Sequence, residues 1–300
     1  MTKDFCLRGV AADGQLRFVA AQTTELCAEA QKRHHSYPVA TAALGRLLTA
    51  ALMLGANLKE GQQLTISING GGPLGRLTVV TEENHSARGY VENPQIELPD
   101  RVPGKLNVGG AVGTDGFLQV TKDLGLKEPY TGSVSLVSGE IGDDIARYLT
   151  ESEQTPAAVG LGVLVGEYGE VQAAGGYLIQ LMPGATEETI ATLEQNIASM
   201  APISQLIAQG QSPQNLLAIL LNGLPYEILA QDDLSFQCRC GHERLKNVLV
   251  SLGKEEIEDL LADQKEVEIV CRFCGEKYVF TPQDLTDLLA DMEKGGDKEE

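Results

Sequence analysis

Two cysteine pairs near the C-terminal end organise the chain: Cys238-Arg239-Cys240 and, after thirty intervening residues, Cys271-Arg272-Phe273-Cys274. Two short thiol-bearing turns that come together supply the tetrahedral set of four thiolates that zinc prefers. A glycine follows each pair directly, and glycine can adopt the positive φ of a tight turn. The spacing therefore predicts one Zn²⁺ per chain, held by Cys238, Cys240, Cys271 and Cys274.

The first pair is spaced by a single residue, whereas structural zinc pairs are typically spaced by two to four residues. If the metal leaves, Cys238 and Cys240 can close a very small ring, and Cys271 and Cys274 a slightly larger one. Small rings hold a disulfide away from its preferred torsion, and strained disulfides are of the labile or regulatory kind. Two interpretations stay open: a static structural zinc site, which the cysteine spacing by itself favours, and a metal-held dithiol switch.

The composition limits the classes of partner. A chain of 300 residues is long enough for about two domains. Its net charge of −19 argues against nucleic acid and anionic membranes, because those surfaces select basic patches. The first residues include Asp4 and no continuous apolar run, so we expect no signal peptide and a cytoplasmic location. In that compartment clustered thiols are mostly metal ligands or redox sensors, and the isolated Cys6 and Cys27 are expected to be core thiols.

Residues 1–183 are predicted to form the larger part of an α+β protein, a mixed domain with a large β-sheet and a buried helix. Hydrophobic alternation and turn residues predict strands within 5–20, 63–69, 76–82, 85–140, 158–166 and 170–182. Helices are predicted at 24–32, 36–58 and 143–151. The second helix should be capped by Ser36, with Pro38 in its first turn. It is apolar nearly all round, but Arg46 near its middle and its length favour a buried core helix over a membrane span.

Residues 1–183 contain no nucleophile elbow, no phosphate-binding loop and no metalloprotease helix motif, and we do not expect the protein to be an enzyme. The stretch Gly70-Gly71-Gly72-Pro73-Leu74-Gly75 matches the letters of a dinucleotide-binding loop, but strand-like sequence follows instead of the required helix. A glycine-rich hairpin loop is the better interpretation. His34, His35 and His85 are interpreted as surface or cap residues, since no catalytic motif surrounds them.

Residues 184–231 are predicted to be a helical linker, and residues 232–300 a small zinc-binding redox-switch domain. The helices of 184–231 carry apolar stripes that need a partner surface, so they form either a conventional core helix pair or a docked linker able to come loose. In 232–300, strand-like runs at 267–270 and 278–280 flank the second cysteine pair, which disfavours a thioredoxin-type site. A domain of about sixty residues has a small core, so the ion would supply much of its folding energy.

Several motifs together resemble the redox-regulated holdase chaperone family known as the heat-shock protein of thirty-three kilodaltons, or 33 kDa chaperonin. The cysteine pattern is the most specific of them, and the sequence matches it without departure. The others are Arg33-His34 followed by Ser36, Ala40-Thr41-Ala42-Ala43-Leu44-Gly45-Arg46, Gly70-Gly71-Gly72-Pro73-Leu74 and Arg88-Gly89-Tyr90-Val91.

The resemblance implies a cytoplasmic holdase without ATPase activity. It implies that the four thiolates bind Zn²⁺ in the reduced, inactive state. Hypochlorous acid, or peroxide with mild heat, would then form the disulfides Cys238–Cys240 and Cys271–Cys274 and eject the zinc. The zinc domain and linker would unfold and expose apolar surface, and the oxidised protein would form a homodimer that holds unfolding client proteins.

Two alternatives from other functional classes stay open at this point. A nucleic-acid-binding zinc ribbon is suggested by the paired cysteines and opposed by the acidic charge; salt-sensitive binding to RNA or DNA would support it. A dithiol oxidoreductase is suggested by Cys271-x-x-Cys274, and turnover of a disulfide substrate by metal-free protein would support it.

Overall fold

The computed structural model describes residues 3–102, 104–262 and 265–296, with side chains described as far as Met292. The chain divides between Gln237 and Cys238 into two compact units, which we call the N-terminal unit and the C-terminal unit. The predicted α+β class, with large sheets, a buried helix and a small cysteine-bearing end, is confirmed. The finer division into 1–183, 184–231 and 232–300 stays a prediction.

The N-terminal unit contains two β-sheets and seven helices among its described residues. In chain order the elements are β1 Phe5–Ala11, β2 Leu16–Gln22, α1 Thr24–His34, α2 Pro38–Leu54, β3 Gln63–Asn69, β4 Leu77–Glu82, β5 Ser86–Val91, α3 Val108–Val112, β6 Phe117–Asp123, β7 Tyr130–Ser135, α4 Gly142–Glu151, β8 Ala157–Val165, β9 Val171–Leu181, α5 Glu187–Ser199, α6 Ile203–Ala208, α7 Pro213–Leu220, β10 Tyr226–Asp233 and β11 Ser235–Phe236.

The first sheet has five strands in the order β10-β1-β2-β9-β8, and all of its neighbouring strands are antiparallel. The second sheet has six strands in the order β11-β5-β4-β3-β6-β7, with β11 parallel to β5 and the other pairs antiparallel. The predicted hairpins β1–β2, β3–β4 and β8–β9 are all present. The glycine-rich loop joins β3 to β4, as the hairpin interpretation requires.

Helix α2 is the centre of the N-terminal unit. It contacts strands of both sheets, which explains why its sequence is apolar on every side. Arg46, the one charged residue of α2, pairs with Glu140 through an Nη1 to Oε2 distance of 2.7 Å. The interpretation as a buried core helix is confirmed. No helix within the described ranges combines the length and apolar character that crossing a membrane requires.

The predicted cap and end of α2 were wrong. Tyr37 is the N-cap residue, and the Ser36 hydroxyl instead shares a 2.7 Å hydrogen bond with the Thr41 hydroxyl. A side-chain cap is not needed here, because Pro38 presets the first helical φ and has no backbone N–H to satisfy. The helix ends at Leu54 rather than at Leu58, and the backbone N–H of Gly55 closes its last turn.

Helix α2 and the residues packed around it form one apolar cluster on one face of the first sheet. A second apolar cluster lies on the opposite face of that sheet. Its helical members are Leu193, Ile203, Leu206, Ile207, Leu216, Leu217 and Leu220, from α5, α6 and α7. The stripes predicted within 184–231 therefore do find a partner surface. The end of that stretch is not helical: β10 pairs with β1 along Tyr226–Asp233. Its side chains are mostly exposed, so backbone pairing rather than a buried stripe forms this strand, and the hydrophobic pattern could not predict it.

Helix α6 packs unusually close to the first sheet because of a glycine beneath it. A Cβ atom built on Gly162 of β8 would lie 2.5 Å from the backbone nitrogen of Ser204 and 3.0 Å from its Cβ. Any larger residue at position 162 would therefore collide with the backbone of α6.

Asp4 caps helix α1 from outside that helix. The N-cap residue Thr23 makes no side-chain cap bond, and the backbone N–H of Leu26 donates instead to Asp4 Oδ2 at 2.7 Å. Asp4 is 2% exposed, and its Oδ1 has no hydrogen-bond partner among the described residues. Burial raises the pKa of this carboxyl to about 6, against the opposing effect of the backbone N–H groups.

This pKa predicts that Asp4 makes the fold less stable as the pH rises. The folded state binds the proton more tightly than the unfolded chain does, so stability falls between about pH 4 and pH 6 and then levels off. We expect the Asp4→Asn variant to lack this contribution. The unfolding free energy of each protein is measured in urea at pH 5 and at pH 7.5. Over this interval the unaltered protein should lose about 1 kcal/mol more stability than Asp4→Asn. Equal pH dependence in both proteins would refute the prediction.

Candidate metal centre

The C-terminal unit consists of three helices and one hairpin among its described residues. The elements are α8 His242–Leu252, α9 Lys254–Ala262, β12 Val267–Val270, β13 Lys277–Phe280 and α10 Pro282–Gly296. The first cysteine pair directly precedes α8, and the second occupies the turn between β12 and β13, which are antiparallel. Because the second pair does not open a helix, the thioredoxin-type interpretation has no structural basis here.

Backbone hydrogen bonds shape the turn that carries the second pair. The N–H of Cys271 donates to Glu276 O at 2.8 Å, and the N–H of Gly275 donates to Cys271 O at 2.8 Å. Gly275 has φ +70°, the left-handed conformation expected for a tight turn. The corresponding expectation for Gly241 was wrong, because its φ of 179° is extended backbone that any residue adopts.

The four predicted cysteines meet at one point. Their Sγ atoms all lie within 4.8 Å of one another. Two contacts join the pairs, with 3.8 Å between the Sγ atoms of Cys238 and Cys271 and 3.3 Å between those of Cys240 and Cys274. A tetrahedral ion with Zn–S bonds of about 2.3 Å would separate its sulfurs by roughly 3.8 Å. The donor set and its dimensions therefore fit one four-coordinate ion that prefers thiolates, such as zinc.

The electrostatics of the cluster show why a cation suits it. Burial raises the pKa of Cys238 to about 11 and moves the pKa of Cys274 further above its usual range. Burial also acts on Cys240, but hydrogen bonds from the Tyr278 hydroxyl and the other thiols outweigh it and hold its pKa below the usual value. Of these three thiols, Cys240 therefore ionises most readily. Four adjacent thiolates need a positive charge among them.

Tyr278 is a member of the site that the sequence interpretation missed. Its hydroxyl lies 3.2 Å from Cys240 Sγ, and this contact raises the pKa of the phenol. The sequence contained a usable signal, since strand alternation places Tyr278 on the same side of β13 as the buried Phe280. That side of the strand faces the interior of the unit, where the sulfurs lie.

The remaining sulfur and imidazole groups have other roles. Cys6 and Cys27 are buried thiols, as predicted, and burial raises the pKa of each to about 12. His242 is stacked on Phe280 with ring centroids 4.3 Å apart, so it serves packing beside the four-sulfur cluster. His35 ends α1 in a left-handed conformation, and His85 lies in the β4–β5 turn with Nε2 3.4 Å from Asp232 Oδ1.

Comparison with known proteins decides the family. The family model described as Hsp33 protein matches residues 4–281. The chain belongs to the Hsp33 protein family. Its similarity to individual Hsp33 proteins extends over nearly the full length of both chains, so the expected chaperone class is confirmed.

Two sequence relatives and one solved structure illustrate the match. The 33 kDa chaperonin of Desulforamulus reducens is 50% identical over 97% of this chain and 99% of its own length. That of Staphylococcus epidermidis is 46% identical over 97% of this chain and its full length. The crystal structure of the 33 kDa chaperonin from Thermotoga maritima has a TM-score of 0.90 at 35% identity, covering 98% of this chain and all of that one.

Proposed function

We propose that this Hsp33 protein is a redox-switched holdase: inactive when reduced and zinc-bound, and active in binding unfolding proteins when oxidised. The observation that carries the proposal is the convergence of four sulfurs within 4.8 Å in a unit that has little else to hold it together. Cys238, Cys240, Cys271 and Cys274 would hold one Zn²⁺, which supplies the positive charge that keeps all four deprotonated.

Oxidation acts on those thiolates directly. A thiolate is the reactive form of cysteine, so an oxidant need not wait for a proton to leave. Each disulfide forms one S–S bond from two thiolates and transfers two electrons to the oxidant, for example hypochlorous acid, whose O–Cl bond breaks to give chloride and hydroxide. Two disulfides consume all four ligands, and the Zn²⁺ is released.

The pairing of the disulfides depends on when the unit unfolds. In the folded unit sulfurs of different pairs lie close together, 3.8 Å apart for Cys238 and Cys271 and 3.3 Å apart for Cys240 and Cys274. Once the ion leaves and the chain loosens, only sulfurs that are close in sequence stay neighbours, because closing a short loop costs the least entropy. The pairs Cys238–Cys240 and Cys271–Cys274 are therefore the expected products. Peptide mapping that finds a Cys240–Cys274 bond would show that oxidation precedes unfolding.

Unfolding of the C-terminal unit is the proposed signal, and client binding the response. In this proposal α5, α6 and α7 act as the linker, which leaves the first sheet and uncovers the second apolar cluster. Such a surface would bind unfolded client proteins, the partners that a chaperone family implies, and the oxidised protein would form a homodimer. The proposal further comprises a cytoplasmic location, no catalytic activity, and no nucleic-acid or membrane partner.

The test follows zinc and client together. Reduced protein is oxidised while a chromogenic chelator reports zinc and light scattering reports the aggregation of a heated client. We expect about one zinc per chain to leave as scattering is suppressed. Zinc release without protection would leave a structural zinc unit only, and protection by the reduced, zinc-bound protein would contradict the switch.

Tyr278 is expected to slow oxidation of Cys240. Its hydroxyl donates a hydrogen bond that withdraws charge from the thiolate. A hydrogen bond to a charged group such as this thiolate stabilises it by about 1.5–3 kcal/mol. Somewhat under half of that stabilisation is expected to raise the activation barrier for attack of the thiolate on the oxidant. Tyr278→Phe should therefore release zinc about three to ten times faster under peroxide. Tyr168→Phe, the same change at a tyrosine that is 93% exposed, is the control. An unchanged or slower rate in Tyr278→Phe would refute the prediction.

A further inference from the structure

The two sheets of the N-terminal unit end in four edge strands, and these strands differ in how they are protected. An edge strand offers unpaired backbone groups to other chains unless charge, brevity or a bulge prevents pairing. β11 has two residues, β7 is rich in serine and threonine, and β10 ends in two aspartates and has a register shift in its pairing. β8 has nine residues, Ala157-Ala158-Val159-Gly160-Leu161-Gly162-Val163-Leu164-Val165, with neither charge nor proline. Its one register shift lies at its last residue, between Leu164 and Val165, and leaves the pairing of residues 157–164 regular.

The register of β8 shows which of its backbone groups are free. The N–H of Leu181 donates to Pro156 O at 2.8 Å, so these two residues form a hydrogen-bonded pair. Hydrogen-bonded and non-bonded pairs alternate in an antiparallel ladder. Residues 158, 160, 162 and 164 therefore bond to β9, whereas the N–H and C=O groups of Val159, Leu161 and Val163 point away from it. Those outward groups have no hydrogen-bond partner among the described residues.

A groove runs along this free edge. Its volume is about 700 Å³, and Val159–Val165 line it together with residues 200–205, from the end of α5 to the start of α6. Successive residues of a strand face opposite sides of the sheet, so a groove on one face would be lined by alternate residues. This groove is lined by every residue from 159 to 165, which indicates that the edge of the strand borders it. Release of α6 would remove one wall and lengthen the accessible edge.

The charges at the groove suit a polypeptide without a fixed sequence. Arg46, Arg101 and Lys105 line it together with Glu140 and Asp143. In a chain of net charge −19, this balance leaves a region that does not repel acidic or neutral segments. A non-native polypeptide has an extended backbone with free hydrogen-bond donors and acceptors. Pairing of such a backbone with a sheet edge requires no particular side chains, so the edge of β8 can accept segments of different sequence.

We propose that β8 binds an extended segment of a non-native client as a sixth strand of the first sheet, through the N–H and C=O groups of Val159, Leu161 and Val163. This inference rests on the proposed holdase function and adds the place and mode of binding.

Residue-resolved hydrogen exchange tests the proposal directly. Oxidised protein is exchanged with and without reduced, carboxymethylated α-lactalbumin, a permanently unfolded probe, then quenched and read by NMR. We expect the amides of Val159, Leu161 and Val163 to slow at least tenfold with the probe, while the amides of 158, 160, 162 and 164, which already bond to β9, change little. Equal slowing of both sets, or of neither, while the probe is bound would overturn the proposal.

Two variants isolate the backbone donor. Leu161→Pro removes the outward N–H and leaves the bonds to β9, whereas Leu161→Ala loses a similar part of the side chain and keeps the N–H. We expect Leu161→Pro to bind the probe at least fivefold more weakly than Leu161→Ala, with zinc release on oxidation the same in both. Equal binding would overturn the proposal. If Leu161→Pro does not fold, the exchange pattern of the unaltered protein decides alone.

Two further outcomes have separate meanings. Failure of the oxidised, unaltered protein to suppress aggregation would refute the holdase function itself. If Val159, Leu161 and Val163 slow on oxidation before any probe is added, and more so at higher protein concentration, a second copy of the chain occupies the edge. That result would overturn the client proposal.

Discussion

Removal of the metal from the reduced protein is expected to unfold the C-terminal unit and leave the N-terminal unit folded. The core of the C-terminal unit is small, and its cluster of buried apolar side chains has five members among the described residues: Leu249, Ile257, Phe280, Leu285 and Leu288. Such a small core rarely stabilises a fold by more than about 3–5 kcal/mol. Binding of a structural zinc ion contributes about 10–16 kcal/mol in comparable sites. The fold should therefore not survive the loss of the ion.

Hydrogen exchange by mass spectrometry checks this expectation. After chelation, peptides from 238–262 and 265–292 should lose protection, whereas peptides from α2 keep it. Cys274→Ser should produce the same pattern without a chelator, since it removes one ligand. Cys27→Ser is the matched control, because Cys27 is as buried as Cys274 but lies in the other unit. Protection that persists in a C-terminal unit shown to be free of metal would mean that its apolar core suffices.

Substitution of Gly162 by alanine is expected to displace α6 from the first sheet in the reduced protein. The added Cβ would meet backbone and Cβ atoms of Ser204 at 2.5 and 3.0 Å, and these atoms cannot rotate aside. Overpacking of this kind costs about 1–3 kcal/mol. Helix α6 has six residues, too few to persist without packing. Its buried Ile203, Leu206 and Ile207 would then become accessible.

Three measurements follow the displacement of α6. Amides of 203–208 should exchange faster, a dye that reports apolar surface should bind, and the metal content should stay unchanged. Under the proposed function, this variant should also suppress client aggregation without oxidation. Gly142→Ala is the control: its added Cβ would meet nothing nearer than 3.5 Å. Unchanged exchange of α6 in Gly162→Ala would show that the glycine is not what permits its close packing.

Local sequence patterns predicted the elements well where one face of an element is buried. The hairpins β1–β2, β3–β4 and β8–β9 follow from alternation and turn residues, and the short helix α4 from its own stretch of sequence. Strand β10 escaped prediction, because it forms through backbone bonds to β1 while most of its side chains stay exposed. The five-residue helix α3 was likewise not predicted, since Val108-Gly109-Gly110-Ala111-Val112 is too short and too glycine-rich to show a helical period.

The sequence by itself determined which side chains are available as metal ligands, because ligand type and spacing are local properties of the chain. Four thiols in two close pairs offer the donor set that a four-coordinate ion such as zinc prefers. Tertiary structure decided what hydrophobic patterns do not encode, namely which surfaces meet. It brings the Tyr278 hydroxyl to Cys240, places α6 against Gly162, and leaves the outer edge of β8 without a strand partner among the described residues. Periodicity reports that a face is buried, whereas its partner is set by packing and backbone pairing between residues far apart in the chain.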